Sequence, residues 1–456
     1  MTATRLGSEA PGHGDTLPER DDAKRTSSVD LLMLAVVVSI MTYVWRLQDL
    51  FPSIRPFQLP TLASVGALGL YLFDRDRRRR LRHLRHPVAI YLCGILALAY
   101  LSVPFSLRQS NSLFFLTEDL NKNFLMAMVL AASVRSIQDV RRYTAAMLIG
   151  ATIYATFVYF KVPVGQSGRL GNIVYYDAND LGMLLVSSIP FAIYFIVSSR
   201  SVLIRILAAA TIPVLLMVII KTGSRGAFLG LIAVGIYFLF RFKSISRGWR
   251  VGAVVVGLLF FSVAGSERYW EMMNTLLNPQ QDYNWSGESD TGRMEIWKRG
   301  IGYMLDRPLT GIGVSTFEVA EGTISPLAAE RLARGRGVRW ASAHNSFVEI
   351  GAELGVMGLL LFSLLIYRAY QTARAEIGPA STRMNDRSAL GAALAGSVVG
   401  YAVTGFFLSQ AFAAFSYFLY AMIVGLAKTR PQRRIALQHR RRPGVVRRAG
   451  VAAEPV

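Results

Sequence analysis

One histidine in this chain lies where an imidazole could move a proton for a reaction. The five histidines are His13, His83, His86, His344 and His439. His344 opens the run His344-Asn345-Ser346-Phe347, directly before a long apolar stretch. A neutral imidazole accepts a proton from a hydroxyl group near neutral pH, so His344 is a candidate general base. The alternative is a structural histidine that forms hydrogen bonds at the start of a helix.

Three arginines lie in short polar segments on the same predicted side of the chain as His344. Arg225 lies in the turn Gly223-Ser224-Arg225-Gly226, and Arg293 begins a predicted helix. Arg169 lies in the short segment Gly168-Arg169-Leu170-Gly171-Asn172. A guanidinium group donates paired hydrogen bonds to phosphate oxygens and stays charged at any relevant pH. Together the three indicate a possible phosphate site. Each arginine taken alone is also explained by lipid headgroup contact or a loop salt bridge.

Polar residues around His344 complete the candidate site. Glu349 and Glu353 are four residues apart and therefore share one face of the helix that should begin near His344. Glu349 could orient His344 or bind sugar hydroxyls, and Asn345 is a second candidate substrate-binding residue. Asp177, by contrast, is expected mainly to cap a helix.

The sequence indicates no metal or cofactor. No His, Cys, Asp or Glu cluster has the spacing of metal ligands, and the chain lacks the glycine-rich loop that binds nucleotides. Cys93 is the only cysteine, which excludes an intrachain disulfide and a site built on several thiolates. We therefore predict that no protein-bound metal and no cofactor is needed.

The elements that must position these residues are membrane helices. The 456 residues have a mean hydropathy of +0.36, with 52% hydrophobic and 17% charged residues, and the apolar residues occur in blocks. Runs of about 18 apolar residues are long enough to cross a bilayer. The pattern predicts an all-α polytopic membrane protein with about twelve spans. Their approximate limits are 29–47, 55–73, 87–104, 114–134, 143–161, 180–198, 202–220, 226–240, 251–265, 351–370, 389–407 and 411–427.

Basic residues predict the orientation of these spans. The chain carries a net charge of +21, and the arginine clusters at 75–80, 440–442 and 447–448 all fall on one predicted side. Because cytoplasmic loops are enriched in Lys and Arg, both termini are expected in the cytoplasm. The net positive charge is thus explained by the membrane topology and does not indicate nucleic-acid binding.

The expected divisions of the chain are a disordered tail at 1–28, spans at 29–265, a large outer loop at 266–350, spans at 351–427 and a basic tail at 428–456. Within the loop, 293–305 and 325–333 are expected to be short helices.

Four ordered motifs resemble the O-antigen ligase and Wzy-type polymerase family. They are Gly223-Ser224-Arg225-Gly226-Ala227, Gly292-Arg293 with Trp297, Asp306-x-Pro308 with Gly311 and Gly313, and His344-Asn345-x-Phe347 followed by Glu349 and Gly351. Unlike related ligases with a second histidine nearby, this chain has Ser346 after Asn345.

The resemblance implies a GT-C-like membrane glycosyltransferase that works without a metal. Such an enzyme takes a glycan from an undecaprenyl diphosphate donor on the periplasmic face of the bacterial inner membrane. The acceptor is a lipid A core sugar or another glycan, and membrane lipids surround the protein. Arg225 and Arg293, with Arg169 as an addition, would then hold the diphosphate. His344 would be the base or position the acceptor.

Two other classes of function remain as alternatives. A lipid-linked glycan flippase or exporter would need charged residues facing a path through the membrane, and the predicted spans have almost none at mid-depth. A non-enzymatic scaffold of an envelope-assembly complex would tolerate substitution of Arg225, Arg293 and His344. Ligase, polymerase and protein O-glycosylating ligase cannot be told apart from the sequence.

Overall fold

The computed structural model describes residues 30–46, 48, 51–165, 168–171, 176–242, 245–282, 284–286, 289–378 and 385–430. The predicted tail at 1–28 and nearly all of the predicted tail at 428–456 lie outside these ranges. The described chain is helical, and its one β-bridge joins Val164 and Leu170. Its α-helices are α1 Leu31–Trp45, α2 Leu59–Phe73, α3 Pro87–Ser102, α4 Gln109–Phe115, α5 Asn121–Ser133, α6 Ile137–Lys161, α7 Ala178–Ser198, α8 Val202–Thr222, α9 Arg225–Arg241, α10 Arg247–Ala264, α11 Glu267–Asn274, α12 Arg293–Asp306, α13 Phe317–Thr323, α14 Pro326–Ala333, α15 Ser346–Arg374, α16 Asp386–Gly405 and α17 Ala414–Lys428.

Each predicted span coincides with helical structure. Eight helical segments of the described chain are long and apolar enough to cross a membrane, and α1 and α17 are shorter apolar helices. The predicted span 114–134 is broken into α4, a π-helical turn at 116–120 and α5. The predicted loop helices are confirmed, because α12 and α14 match them within one residue. The protein is therefore a multi-pass membrane protein.

The core lies in the centre of the helix bundle. In the apolar stretch of α16, 83% of the residues are buried within the protein, whereas in that of α10 the share is 6%. Helix α16 packs against α7, α9 and α15, while α10 packs mainly against α9. A peripheral helix that exposes Val and Leu on all sides is stable only against lipid. The central helices are the ones whose ends carry the candidate site.

Small residues allow the central helices to approach closely. A Cβ at Gly182 of α7 would lie 2.6 Å from the Cβ of Ala227 in α9. A Cβ at Gly230 of α9 would lie 2.4 Å from a methyl carbon of Thr404 in α16. Membrane helices pack by such close approach because lipid provides no hydrophobic driving force between them. This packing places the start of α9, and hence Arg225, beside the start of α7.

Helix α15 is broken where the Asp-x-Pro-x-x-Gly-x-Gly motif docks onto it. Gly355 has φ +72° within α15, and its backbone opens to accept the loop at 308–313. The amide of Val356 donates to the Pro308 carbonyl at 2.9 Å, and the amide of Ile312 donates to the Ala352 carbonyl at 2.9 Å. The glycines of this motif are thus required by backbone packing. The sequence predicted the motif but not the break.

The bundle has two chemically different ends. Helix α17 begins at Ala414 beside the candidate site, and Lys428, its last residue, lies at the opposite end. Fifteen helical residues span about 22 Å, which separates these ends by most of a bilayer core. We call the end with His344 the site end and the end with Lys428 the basic end.

Candidate functional site

A cavity lined by arginines lies at the site end, and we call it the guanidinium cavity. Its volume is about 360 Å³. Four arginines line it together with one carboxylate, Asp177, and His344. The arginines are Arg169, Arg225, Arg293 and Arg339. The cavity is therefore strongly electropositive and suited to an anion.

Two of these arginines are held by helix termini. Arg225 is the first residue of α9, and its guanidinium pairs with the buried carboxylate of Asp282 and donates to the Thr275 hydroxyl at 2.8 Å. Arg169 donates to the Asn179 side chain at 2.8 Å and to the Thr222 carbonyl at 3.3 Å. Both side chains are oriented before any ligand binds, which reduces the cost of binding one.

Arg293 is positioned by α12, which it begins. The next residue, Met294, donates its amide to the Asn284 carbonyl at 3.0 Å. One turn further on, the indole N–H of Trp297 donates to the Ala343 carbonyl at 3.0 Å. The helix that carries Arg293 is thus attached to the residue before His344. Trp297 is almost fully buried, as expected from the apolar face of this helix.

His344 has an unusual backbone and a neutral side chain. Its φ is +49°, and its amide donates to the Ser409 hydroxyl at 2.8 Å. Few residues other than glycine occupy this conformation, and such strain is common at functional sites. Burial, followed by the charge of Arg293, lowers the pKa of His344 from 6.5 to about 4, although Asp177 opposes the shift. The imidazole is therefore unprotonated at neutral pH and can accept a proton.

A second cavity of about 580 Å³ meets the first at His344 and Asp177, which line both. We call it the carboxylate cavity. Six acidic residues line it: Asp119, Asp177, Asp180, Glu318, Glu349 and Glu353. Aromatic rings of Phe115, Phe317, Trp340 and Phe412 lie among them. Basic side chains thus line the cavity on one side of this imidazole, and acidic side chains line the cavity on the other.

The two glutamates of α15 have different contacts. Glu353 accepts the amides of Ser315 and Phe317 at 2.8 and 3.1 Å, so it holds the start of α13. Glu349 accepts the amide of Ala411 at 3.3 Å. Both glutamates line the carboxylate cavity. Because Glu349 accepts fewer hydrogen bonds from the backbone, its oxygens are more available to a ligand than those of Glu353.

The segment between α16 and α17 closes this cavity. The Gln410 side chain donates a hydrogen bond to the Asp180 carboxylate at 2.8 Å, and the backbone amide of Gln410 donates to the Ser346 hydroxyl at 3.0 Å. Ser346 in turn donates to the Leu408 carbonyl at 2.7 Å. The start of α15, two residues after His344, is thereby fixed to the segment between α16 and α17 and, through Gln410, to α7.

The structure brings together most of the predicted site residues. Arg169, Arg225, Arg293 and His344 line the guanidinium cavity, while Glu349 lies in the adjoining one. Asn345 lines neither: its side chain caps α15 by accepting the amides of Phe347 and Val348. Asp177 caps α7, as expected, and also lines both cavities.

Sequence reasoning missed Arg339 and three of the six acidic residues. Arg339 lies five residues before His344 in a segment without regular secondary structure, and that proximity in the sequence was the available signal. Asp119, Asp180 and Glu318 come from three distant segments, and no spacing relates them.

Among the described residues, no group of three or more His, Cys, Asp or Glu side chains could hold a metal ion. Residues 210–363 match the family model described as O-antigen ligase. The match begins within α8 and ends within α15, so it contains Arg225, Arg293, Arg339 and His344. A search of curated proteins found no match.

Proposed function

We propose that this chain, whose residues 210–363 belong to the O-antigen ligase family, transfers a glycan from undecaprenyl diphosphate to an acceptor hydroxyl. The observation that carries the proposal is the position of His344, which lines a cationic cavity and an acidic cavity at once. A transferase of this kind must hold an anionic leaving group and a neutral hydroxyl on two sides of one base.

The guanidinium cavity is the proposed donor site. Four guanidinium groups line it, while Asp177 lines it and Asp282 pairs with Arg225. A lining rich in guanidinium groups suits the two negative charges of a diphosphate diester. The leaving diphosphate gains charge as its bond to the sugar breaks, and fixed cations stabilise that charge. One such contact is worth about 3 kcal/mol in comparable sites.

The carboxylate cavity is the proposed acceptor site. Carboxylate oxygens accept hydrogen bonds from sugar hydroxyls, and the aromatic faces of Phe115 and Trp340 offer apolar surface to a sugar ring. Its volume exceeds that of the donor cavity, which suits an oligosaccharide end. No arginine or lysine of the described chain lines this cavity, so the diphosphate is directed to the other side of His344.

The reaction proceeds in one displacement. The acceptor oxygen attacks C1 of the donor sugar while the bond from C1 to the phosphate oxygen breaks. The electron pair of that bond leaves with the diphosphate, toward Arg225 and Arg293. The hydroxyl proton passes to the unprotonated ring nitrogen of His344, whose lowered pKa keeps it available. The arginines supply the charge that a metal supplies elsewhere, and we expect chelators to leave the rate unchanged.

The membrane setting is part of the proposal. We infer a GT-C-type arrangement of about twelve spans in the bacterial inner membrane, with the site end facing the periplasm and both termini in the cytoplasm. The arginine-rich segment at 75–82 lies at the basic end, which supports this orientation. The polyprenyl tail would lie among membrane lipids beside the bundle.

The direct test is reconstitution. Protein in lipid vesicles is supplied with an undecaprenyl-diphosphate oligosaccharide and a hydroxyl acceptor, and new glycosidic product is measured. The proposal predicts product from the wild type and at least about 100-fold less from His344→Gln. Movement of intact donor across the bilayer without product would indicate a flippase instead. In a deletion strain, loss of long chains from lipid A core identifies a ligase, and single repeat units there identify a polymerase.

A further inference from the structure

The basic end contains a cavity that the proposed reaction does not use. Its volume is about 590 Å³, larger than the guanidinium cavity. Nine basic side chains line it, and no carboxylate is among its lining residues within the described chain. They are Arg77, Arg78, Arg82, His83, Arg85, His86, Arg135, Lys428 and Arg430. We call it the basic cavity.

Several of these cations are already neutralised by the fold. Arg135 pairs with Asp30 and, at 3.6 Å, with Asp76, and Arg430 pairs with Glu376 at 2.5 Å. Lys428 donates to the carbonyls of Ala131 and Ala132 at the end of α5. These contacts shape the wall of the cavity. Because of these contacts, Arg135, Arg430 and Lys428 have little charge left to attract an anion.

Three other arginines of the basic cavity have no such neutralisation. Within the part of the chain that the structure describes, no carboxylate pairs with Arg77, Arg82 or Arg85. They lie on the short helical turns at 77–79 and 81–84 and just after them. An enrichment in basic residues explains charge at this end but not a concave site lined by like charges. Like charges gathered around a cavity repel one another unless an anion occupies it.

The position of the cavity selects a lipid as that anion. Val134, Val424 and Ala427 line it, and Phe73 and Leu81, which lie close to the arginines in the sequence, are 86% and 50% exposed. It therefore lies on the border between polar loops and the apolar surface of the bundle. A phospholipid places its phosphate at this border and its chains along the helices. A soluble phosphate would gain nothing from the apolar part.

We propose that the basic cavity binds the phosphate of an anionic phospholipid headgroup through Arg77, Arg82 and Arg85. Guanidinium groups bind phosphate oxygens through paired hydrogen bonds, which a lysine cannot reproduce. The cavity volume accommodates a headgroup with more than one phosphate. Binding here would fix the turns at 77–84 to the ends of α5 and α17.

The test measures lipid binding to the full-length protein in detergent by native mass spectrometry and thermal shift. The probes are phosphatidylglycerol, cardiolipin, neutral phosphatidylcholine and inorganic pyrophosphate. The variant Arg77→Gln/Arg82→Gln/Arg85→Gln should bind the anionic lipids on the order of 100-fold more weakly than the wild type. The matched control Arg331→Gln/Arg334→Gln/Arg336→Gln removes the same charge from the outer loop and should bind them normally.

Two results would overturn the proposal. One is anionic lipid binding that the triple variant retains in full. The other is pyrophosphate binding through the same three arginines as tightly as lipid, which would make this a site for a soluble anion. If the triple variant does not fold, Arg82→Gln is compared with Arg336→Gln, and a loss of roughly 5-fold is expected for the first alone. Equal binding by these two would count against the proposal in the same way.

Discussion

The indole N–H of Trp297 donates to the carbonyl oxygen of Ala343 at 3.0 Å, which joins the helix of Arg293 to the residue before His344. Through this bond, the proposed donor ligand and the proposed base move together. Trp285 and Phe406 pack edge-on against the Trp297 ring at 5.2 and 5.3 Å. The ring is held by packing, and the hydrogen bond sets the distance between the two functional groups.

Replacing Trp297 by phenylalanine should reduce turnover more than donor binding. The ring contacts are largely kept, but a buried carbonyl loses its partner, which costs about 1–3 kcal/mol. We expect kcat to fall about 10-fold, because His344 shifts relative to the donor. Steady-state kinetics with purified protein measure this. Trp249→Phe, at a 78% exposed position, is the control and should leave kcat unchanged. An unchanged kcat in Trp297→Phe would mean that the bond does not position the site.

The pH dependence of the reaction should reflect the lowered pKa of His344. Burial and the charge of Arg293 lower this pKa from 6.5 to about 4. The acid limb of kcat/KM is therefore expected near pH 4, and that of kcat at higher pH, because bound diphosphate favours the protonated imidazole. The neutral imidazole also contributes stability above pH 6.5 that is lost as the pH falls toward 4. Arg293→Gln should shift the acid limb of kcat/KM to higher pH, because the positive charge that lowers the pKa of His344 is removed. A limb near pH 6.5 in the wild type would contradict the electrostatic description.

The two glutamates of α15 should separate acceptor binding from folding. Glu349→Gln is expected to raise the acceptor KM about 10-fold with little change in melting temperature, since its contact with the fold is one amide at 3.3 Å. Glu353→Gln should instead lower the free energy of unfolding by about 1.5–3 kcal/mol, because Glu353 accepts two amides at the start of α13. Thermal unfolding and acceptor titration distinguish them. Equal effects of the two substitutions on KM would refute the assignment.

The break in α15 should depend on glycine at position 355. Its φ of +72° costs other residues about 1–3 kcal/mol, and a Cβ there would lie 2.3 Å from the Pro308 carbonyl oxygen. Gly355→Ala should therefore lower stability by about 3 kcal/mol or more and detach the 308–313 loop. In Gly257→Ala the new methyl group meets open space within α10, and the expected change is a gain of up to about 1 kcal/mol. Similar melting temperatures of the two variants would show that the break is not required.

Much of the architecture followed from local sequence patterns. The caps at Ser325 and Asp177 and the spans themselves depend on neighbouring residues, so periodicity and capping rules predicted them. The membership of Arg169, Arg225, Arg293 and His344 in one cavity depends on helix packing across the bundle. The family motifs predicted it for Arg225, Arg293 and His344, with Arg169 as an addition, whereas the spacing of the residues did not.

The carboxylate cavity and the break at Gly355 could not be predicted in the same way. Asp180 and Glu349 belong to α7 and α15, which are distant in the sequence, and both side chains contact the segment at 408–411. A glycine within an apolar run is equally suited to a regular helix, so Gly355 gave no local sign of its positive φ. Arg339 lies in a segment without regular secondary structure or periodicity, and its place in the cavity follows only from the position of that segment.

The central claim is that arginines bind the diphosphate while His344 serves the chemical step. It is tested most directly by measuring, in the same variants, the Kd for undecaprenyl diphosphate and the kcat for glycan transfer. We predict that Arg293→Gln raises the Kd about 100-fold, whereas His344→Gln leaves the Kd within about 3-fold and lowers kcat about 100-fold or more. Arg336→Gln, an exposed arginine outside both cavities, should change neither. Donor binding by Arg293→Gln as tight as that of the wild type would contradict the account.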